Sequence, residues 1–329
     1  MQPFEYQQPS DAAGAVATVA GTEGAVFLGG GTNLVDLMKL GVETPDLLVD
    51  VTRLPMDGIQ RTGEGGLRIG AGVRNSDLAV DPRVRAEYPV LSQALLAGAS
   101  GQLRNMATVG GNLLQRTRCL YFQDVTKPCN KRRPGSGCPA RTGDHRNLAI
   151  LGGSEHCIAT HPSDMAVALA ARGAIVHVQG PGTARTMGLD ELYRLPGDEP
   201  ARDTTLARGD LITAVELPPL GFARSSAYRK VRDRASYAFA VTSVAAALDV
   251  AGGQVRDVRL AIGAVAPVPW RARRAEQALL GRPATADAFR AAVDAELAAA
   301  APLRHNAFKV PLVSNVVTAV LSQLAGSTR

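Results

Sequence analysis

Several features that mark common classes of protein are scarce or absent in this chain of 329 residues. Aromatic residues make up only 4% of it, so the core must be built mainly from Ala, Val and Leu. No apolar run reaches the roughly 20 residues that a membrane-spanning helix needs, and we expect no membrane insertion. The first residues, MQPFEY, lack the basic and apolar regions of a signal peptide. We therefore expect a cytoplasmic location, or a periplasmic one reached by co-export with a signal-bearing partner.

Catalytic signatures are missing as well. The sequence contains no H-E-x-x-H motif, no nucleophile elbow and no Ser-His-Asp order. The net charge is +6, but the charges are scattered, and no aromatic residues interleave with the one basic triplet, Lys131-Arg132-Arg133. We therefore expect neither a nucleic-acid partner nor a catalytic side chain.

The 34 glycines are concentrated in turns, and one of these turns has the layout of a phosphate-binding loop. An apolar run at Ala25–Leu28 predicts a buried strand, and Gly29-Gly30-Gly31 follow it. Thr32-Asn33 then precede a helical pattern that begins at Leu34, and residues 47–51 predict the next strand. Glycines let the backbone approach a diphosphate, and free N–H groups at a helix start bind its charge. The loop matches neither G-x-G-x-x-G nor a P-loop, so alone it would indicate only a tight turn.

A second loop of similar composition, Ala107-Thr108-Val109-Gly110-Gly111-Asn112, changes that interpretation. Two such loops could hold a dinucleotide from both sides. Ser163-Asp164 precede a helical pattern and form a helix cap, and the acidic side chain could also accept a hydrogen bond from a ribose or adenine. Lys230 and Arg232 alternate on a predicted strand, where they are either solvated charges or contacts to an anion or flavin.

All four cysteines, Cys119, Cys129, Cys138 and Cys157, lie in one polar segment rich in glycine and proline. A loop this long in a compact domain is functional or disordered, and a metal centre would order it. Structural zinc sites usually have C-x2-4-C pairs, which are absent here, and an iron–sulfur cluster tolerates irregular spacing better. Spacing favours the cluster but leaves zinc, disulfides and free thiols open. With four thiols present, His145, His156 and His161 are interpreted as hydrogen-bonding loop residues.

The predicted elements indicate three segments: a small α/β unit at 1–55, a larger unit at 56–220 and a third at 221–329. In the second segment, residues 56–75 predict a hairpin with a turn at 63–66, and Leu189 to Leu195 a short helix. In the third, strands predicted at 225–231, 238–250 and 255–265 precede three helices, which is typical of an α+β domain.

The chain resembles the FAD-binding subunits of molybdenum hydroxylases in four stretches. These are the two glycine loops, Tyr228-Arg229-Lys230 and Ser236-Tyr237-Ala238-Phe239-Ala240. The resemblance runs from Phe4 to the end of the chain. It implies an α+β fold, with a two-part FAD-binding domain of the vanillyl-alcohol-oxidase/CO-dehydrogenase-flavoprotein type and a C-terminal antiparallel sheet with helices. Most members run directly from the second glycine loop into a Ser-Pro-x-x-Asp turn. Here an insertion at about 116–157 interrupts that join, and it is similar to the [4Fe–4S]-bearing insertion of periplasmic aldehyde oxidoreductases.

The resemblance also implies roles for individual residues. It places the FAD diphosphate on the backbone of the first loop, its other side on the second loop, the ribose and adenine half at Asp164 and the flavin ring near Lys230. Val215, at the expected end of its strand, would pack on the flavin. The implied FAD contacts are Val26, Phe27, Leu28, Gly29, Gly30, Gly31, Thr32, Asn33, Leu34, Thr108, Gly110, Gly111, Asn112, Asp164, Val215 and Lys230. The implied ligands of the [4Fe–4S] cluster are Cys119, Cys129, Cys138 and Cys157.

The function that the resemblance implies is electron transfer. A large subunit with a molybdenum cofactor would oxidise an aldehyde, a small subunit with two [2Fe–2S] clusters would pass the electrons on, and FAD on this chain would deliver them to an external acceptor. The alternatives are a subunit like that of 4-hydroxybenzoyl-CoA reductase, with electrons running the other way, and a zinc-stabilised nucleotide-binding module.

Overall fold

A computed structural model describes residues 1–327 of the chain, so residues 328–329, which end the third predicted segment, lie outside the described residues. Within 1–327 the strands form three sheets, each accompanied by helices, and this mixture confirms the predicted α+β class. No helix in this part of the chain is long and apolar enough to cross a membrane.

The first sheet is small and parallel. Its region contains β1 (Glu5–Gln7), α1 (Ala12–Gly21), β2 (Ala25–Leu28), α2 (Leu34–Lys39) and β3 (Leu47–Asp50). The strand order is β1-β3-β2. The predicted sequence of strand, glycine turn, helix and strand is confirmed. Strand β1 was not predicted, because its three residues are all exposed and carry no buried pattern.

The second sheet is antiparallel and is interrupted in sequence by the cysteine segment. Its region contains β4 (Ile59–Arg61), β5 (Leu67–Gly70), α3 (Asn75–Val80), α4 (Pro82–Glu87), α5 (Pro89–Ala97), α6 (Gly101–Met106), α7 (Val109–Leu113), α8 (Leu120–Gln123), α9 (Asp164–Arg172), β6 (Ile175–Gln179), β7 (Ala184–Gly188), α10 (Leu189–Leu192) and β8 (Leu211–Leu217). The strand order is β4-β5-β8-β6-β7, and the predicted hairpin is confirmed by the pairing of β4 with β5. Helix α10 ends at Leu192, three residues before the predicted end, because Tyr193 turns to extended backbone.

Residues 116–157, hereafter the insertion, contain little regular structure. Helix α8 and a 3-10 turn at Pro139–Arg141 are its helical elements in the described chain. A small core of its own includes three of the four cysteines: it consists of Leu37, Cys119, Phe122, Cys129, Ala140, Leu148, Cys157, Ile158 and Ala159. Apart from Leu37 of α2 and the two residues just after Cys157, the insertion supplies this core itself.

The third sheet is antiparallel and packs against helices at the end of the chain. Its region contains β9 (Ser226–Val231), β10 (Thr242–Ala251), β11 (Gln254–Gly263), β12 (Trp270–Arg271), α11 (Arg273–Leu279), α12 (Ala286–Leu297) and α13 (Lys309–Ser327). The strand order is β12-β11-β10-β9. Strand β10 begins at Thr242 rather than at the predicted residue 238. The alternating Ala and Phe residues before it resemble a strand in sequence, but they belong to a loop that turns at Tyr237 with a φ of 50°.

Candidate functional site

A cavity of about 1160 Å³ lies where the three regions meet. Its wall is formed by the β2–α2 loop, the α6–α7 turn, the start of α9 and the β9–β10 loop. Pockets for drug-sized ligands usually measure about 300–1,000 Å³. This cavity therefore has room for a larger ligand of dinucleotide size.

The first glycine loop forms one wall with its backbone. None of the N–H groups from Gly29 to Asn33 donates to a backbone carbonyl in the described chain, so all of them are available to an anion. A Cβ on Gly30 would lie 1.9 Å from the carbonyl oxygen of Met106, so only glycine permits this contact. Gly31 has a φ of 72°, which also favours glycine.

The second glycine loop packs directly against the first. Thr108 caps α7, and its Oγ1 accepts a hydrogen bond from the N–H of Gly111 at 3.2 Å. A Cβ on Gly29 would lie 2.9 Å from the same Oγ1, while the N–H of Gly110 donates to Ala71 at 2.9 Å. The two loops therefore touch each other, and both lie on the cavity wall.

Two asparagines on the cavity wall carry polar atoms without partners. The Asn33 Oδ1 accepts from the backbone N–H of Arg116 at 2.7 Å, but its buried Nδ2 has no hydrogen-bond partner within the described residues. The buried Oδ1 of Asn75 likewise has none there. Buried polar groups are nearly always paired, so a polar ligand in the cavity would supply the missing partners.

The chain segments on either side of the insertion come together at this cavity. Ser163 caps α9, and its hydroxyl also donates to the Asn112 Oδ1 at 2.5 Å. Asp164 begins α9 and accepts hydrogen bonds from the Tyr228 hydroxyl and from the Lys230 Nζ, the latter at 2.8 Å. The side chains of Lys230 and Asp164 are only 4% and 9% exposed. The resemblance implied that these two residues contact different parts of FAD, whereas the structure joins them in one buried ion pair.

The side chains of Lys230 and Arg232 reach the same group, although β9 ends between them at Val231. Lys230 Nζ and Arg232 Nη1 donate to the carbonyl of Ala97, at 3.1 and 3.4 Å. Ala97 ends α5, so the two cations compensate the free carbonyl groups and the negative end of that helix.

Sequence reasoning did not identify several residues of the wall. Ala99, Tyr237 and Ala264 are the non-glycine residues at positive φ in the described chain, and all three line the cavity. Such strained backbone tends to occur at functional sites. For Ala99 and Ala264 the sequence carries no signal, because nothing about an alanine reveals its φ.

Most of the implied FAD contacts line this single cavity, and two do not. Those on the wall are Val26, Phe27, Gly29, Gly30, Gly31, Thr32, Asn33, Leu34, Thr108, Gly110, Gly111, Asn112, Asp164 and Lys230. Leu28 and Val215 are not on it. Val215 lies in the middle of β8 rather than at its end, and it is fully buried in the core between the second sheet and its helices. Its position gives it no face toward the cavity.

All four cysteines line one second, much smaller cavity inside the insertion. They form no disulfide. Burial raises the pKa of the Cys119 thiol to about 11, and it raises the pKa values of Cys138 and Cys157 as well. Backbone N–H groups face the sulfurs, as where Ala159 donates to Cys157 Sγ at 3.5 Å. Such N–H to sulfur contacts are typical around metal-bound thiolates.

The thiols surround this cavity without converging on a point. Within residues 1–327, no three side chains of His, Cys, Asp or Glu are arranged to hold a single metal ion. His145 uses both ring nitrogens: Nδ1 bonds the Ala140 carbonyl at 3.2 Å, and Nε2 accepts from the N–H of His305 at 2.9 Å. His161 is buried on the wall of the larger cavity, and burial lowers its pKa to about 4. His156 is half-exposed beside the cysteine cavity.

Comparisons with known proteins match the whole chain. The family model for the FAD binding domain in molybdopterin dehydrogenase matches residues 2–220, and the one for the CO dehydrogenase flavoprotein C-terminal domain matches residues 226–324. The aldehyde oxidoreductase FAD-binding subunit PaoB of Escherichia coli (strain K12) is 50% identical over 325 residues, which is 98% of each chain. The carbon monoxide dehydrogenase medium chain of Hydrogenophaga pseudoflava is 27% identical over 326 residues, covering 97% of this chain and 96% of that one.

Solved structures agree with this assignment. The CO dehydrogenase from Oligotropha carboxidovorans superposes with a TM-score of 0.78 at 24% identity, covering 99% of both chains, which shows the fold. The carbon monoxide dehydrogenase from Hydrogenophaga pseudoflava that lacks the Mo-pyranopterin moiety gives a TM-score of 0.76 at 26% identity, covering 99% of this chain and 98% of that one. The chain therefore belongs to the family of FAD-binding medium subunits of the molybdenum hydroxylases, which are oxidoreductases.

Proposed function

We propose that this chain is the FAD- and [4Fe–4S]-binding electron-transfer subunit of a heterotrimeric molybdenum aldehyde oxidoreductase. Its partners would be a large subunit with the molybdenum cofactor and a small subunit with two [2Fe–2S] clusters. The 50% identity to an aldehyde oxidoreductase FAD-binding subunit supports the aldehyde as the reductant. Bound FAD would accept the electrons and deliver them to an external acceptor, while the protein supplies binding and orientation.

The single observation that carries the FAD assignment is the contact between the two glycine loops. The free N–H groups of the first loop, Gly29 to Asn33, would bind the diphosphate from one side, and the Thr108–Asn112 turn would support the other. Asn33 Nδ2 and Asn75 Oδ1 would gain the partners that they lack. The Asp164–Lys230 pair would hold one end of the cofactor in a fixed place.

For the iron–sulfur cluster, the support is four thiols around one buried cavity with N–H groups facing them. A zinc ion needs thiolates about 2.3 Å from one centre, an arrangement that the described residues do not present. Around a cluster the thiolates bind separate irons, so they stand farther apart. The positive charge of the irons would offset the free-energy cost of burying thiolates. The raised pKa of the Cys119 thiol reflects that cost.

The test is the visible spectrum and the metal content of the full-length chain. We expect flavin bands, a broad iron–sulfur shoulder, FAD released on denaturation, and about four irons per chain. Cys129→Ser should abolish the shoulder and speed amide exchange in the insertion while FAD remains bound. Thr126→Ala, a change in the same segment at a residue that bonds only Asp124, should leave the shoulder intact. A colourless chain that contains zinc would overturn the proposal.

A further inference from the structure

The loop from 232 to 241 joins β9 to β10 and covers part of the FAD cavity; we name it the lid loop. Residues 237–241 line the cavity together with Asp233 and Arg234. Arg234 Nε donates to the carbonyls of Ser236 and Tyr237, at 3.1 and 2.9 Å, so the lid loop braces its own shape. As whole residues, Tyr237 and Phe239 are nevertheless 57% and 51% exposed.

Two arginines of the insertion contact this loop, and one of them, Arg118, itself lies on the cavity wall. The guanidinium of Arg118 lies 5.0 Å from the centroid of the Phe239 ring, within the range of a cation–π contact. Arg146 forms a two-pronged ion pair with Asp233, with both N–O distances at 2.9 Å. One arginine lies at the start of the insertion and the other near its end, so they contact the lid loop at separate points.

Both arginines stand on anchored backbone. Next to Arg118, the backbone N–H of Arg116 is bound to Asn33 of the first glycine loop, and the Arg116 side chain pairs with Glu43 at 2.5 Å. Near Arg146, the carbonyl of Leu148 accepts from Asn306 Nδ2 at 3.3 Å and from Lys309 Nζ at 3.0 Å. Asn306 and Lys309 are fully buried in the third region, which makes this support rigid.

We propose that the insertion acts as a clamp on the lid loop, with Arg118 and Arg146 as positioning residues that keep the flavin cavity covered. The clamp rests on the FAD-binding role of the cavity and adds a task for the insertion in that role. The core that contains the cysteines joins the two anchored stretches, at Arg116 and at Leu148. Ordering of that core would therefore favour a closed lid loop. Opening would admit solvent and the external acceptor to the flavin and would let FAD leave faster.

The experiment is hydrogen–deuterium exchange of residues 233–240 in the full-length chain, followed by mass spectrometry. Loss of one exposed contact of either kind should speed exchange about two- to fivefold, and the double variant Arg118→Gln/Arg146→Gln about tenfold. Phe239→Leu should act like Arg118→Gln, whereas Phe239→Tyr, which keeps a ring, should restore slow exchange. FAD release, followed by the rise in flavin fluorescence, should accelerate in the same order.

Arg141→Gln is the matched control. Arg141 belongs to the insertion and is paired with Glu155 inside it, so its loss should leave the exchange of the lid loop unchanged. Equal acceleration in Arg141→Gln, or wild-type exchange in the double variant, would refute the clamp. The iron–sulfur shoulder must stay constant in Phe239→Leu, because Phe239 does not line the cysteine cavity. Because exchange can be measured without cofactor, a chain that binds no FAD would defeat the proposed function and still decide on the clamp.

Discussion

The two glycine loops, residues 29–33 and 108–112, hereafter the cradle, can be compared with the cysteine insertion. Both have little regular structure, yet different interactions stabilise them. In the cradle, backbone meets backbone: Gly30 lies on the carbonyl of Met106, and Gly110 is bonded to Ala71. In the insertion, three buried cysteines replace much of the apolar core that a loop of this length would need. Thus backbone contacts shape the first site, whereas the second, on the proposed function, depends on the cluster that its thiols would bind.

This contrast has an electrostatic side. At the cavity the buried charges are already compensated, since Asp164 is paired with Lys230. In the insertion, burial raises the pKa of Cys119 to about 11, so thiolates are disfavoured until a cation arrives. Binding of the proposed cluster would therefore release protons and supply folding free energy there. We expect the two glycine loops to be stable without FAD and the insertion to loosen when the proposed cluster is removed.

The largest effect is expected where the buried ion pair on the cavity wall, Asp164 with Lys230, is broken. Lys230→Met leaves Asp164 buried with only the Tyr228 hydroxyl as partner, and loss of one member of a buried pair costs about 3–5 kcal/mol. Urea unfolding measures the loss, and FAD titration should show weakened binding. The double variant Asp164→Asn/Lys230→Met removes both charges and should recover part of the stability. If the single variant is as stable as wild type, the cavity is not preformed by this pair.

A smaller loss is expected from Gly30→Ala. The added methyl group would overlap the Met106 carbonyl, and such overpacking costs about 1–3 kcal/mol. The two glycine loops must separate to admit it, so FAD affinity should fall by more than the stability does. Gly63→Ala is the matched control, because a Cβ there meets nothing within 4 Å. Equal FAD affinity in both variants would show that contact between the loops is unimportant.

The sequence predicted the cradle well because its information is local. Strand β2, the turn Gly29–Gly31 and the start of α2 at Leu34 follow from a short apolar run, glycines and helical spacing. Strand β8 runs from Leu211 to Leu217. Which side of β8 faces the cavity could not be predicted, since it depends on pairing with β5 and β6, and the burial of Val215 in the core carries no local signal for that reason.

The insertion shows the opposite limit. Its cysteines could be recognised in sequence, but their common cavity and the arginine contacts of Arg118 and Arg146 join residues far apart in the chain. The pairing of Asp164 with Lys230 spans 66 positions and likewise has no local signal. Residue types therefore indicated which ligands to expect, while the geometry required the folded chain.

Lys309 contacts both the insertion and the cavity wall, and its replacement is the variant with the smallest expected effect. It is fully buried, and its Nζ donates to Leu148 at the exit of the insertion and to Ala264 on the cavity wall, at 3.0 and 2.8 Å. Burial lowers its pKa from 10.5 to about 7. Between these two values the unfolded chain holds a proton that the folded chain has lost, so this group makes stability rise with pH.

Lys309→Met removes both hydrogen bonds but also the cost of burying the charge, and the two effects partly cancel near pH 7. Toward pH 10 the wild-type amine is neutral in the folded state. The destabilisation of the variant then comes only from the two lost hydrogen bonds. The destabilisation measured by urea unfolding should therefore be small at pH 7 and larger at pH 10; the same value at both would mean that the pKa of Lys309 is not lowered. Amide exchange can then separate the insertion from the glycine loops: we expect faster exchange at 145–150 and little change at residues 109–112, whose N–H groups are hydrogen-bonded without help from Lys309.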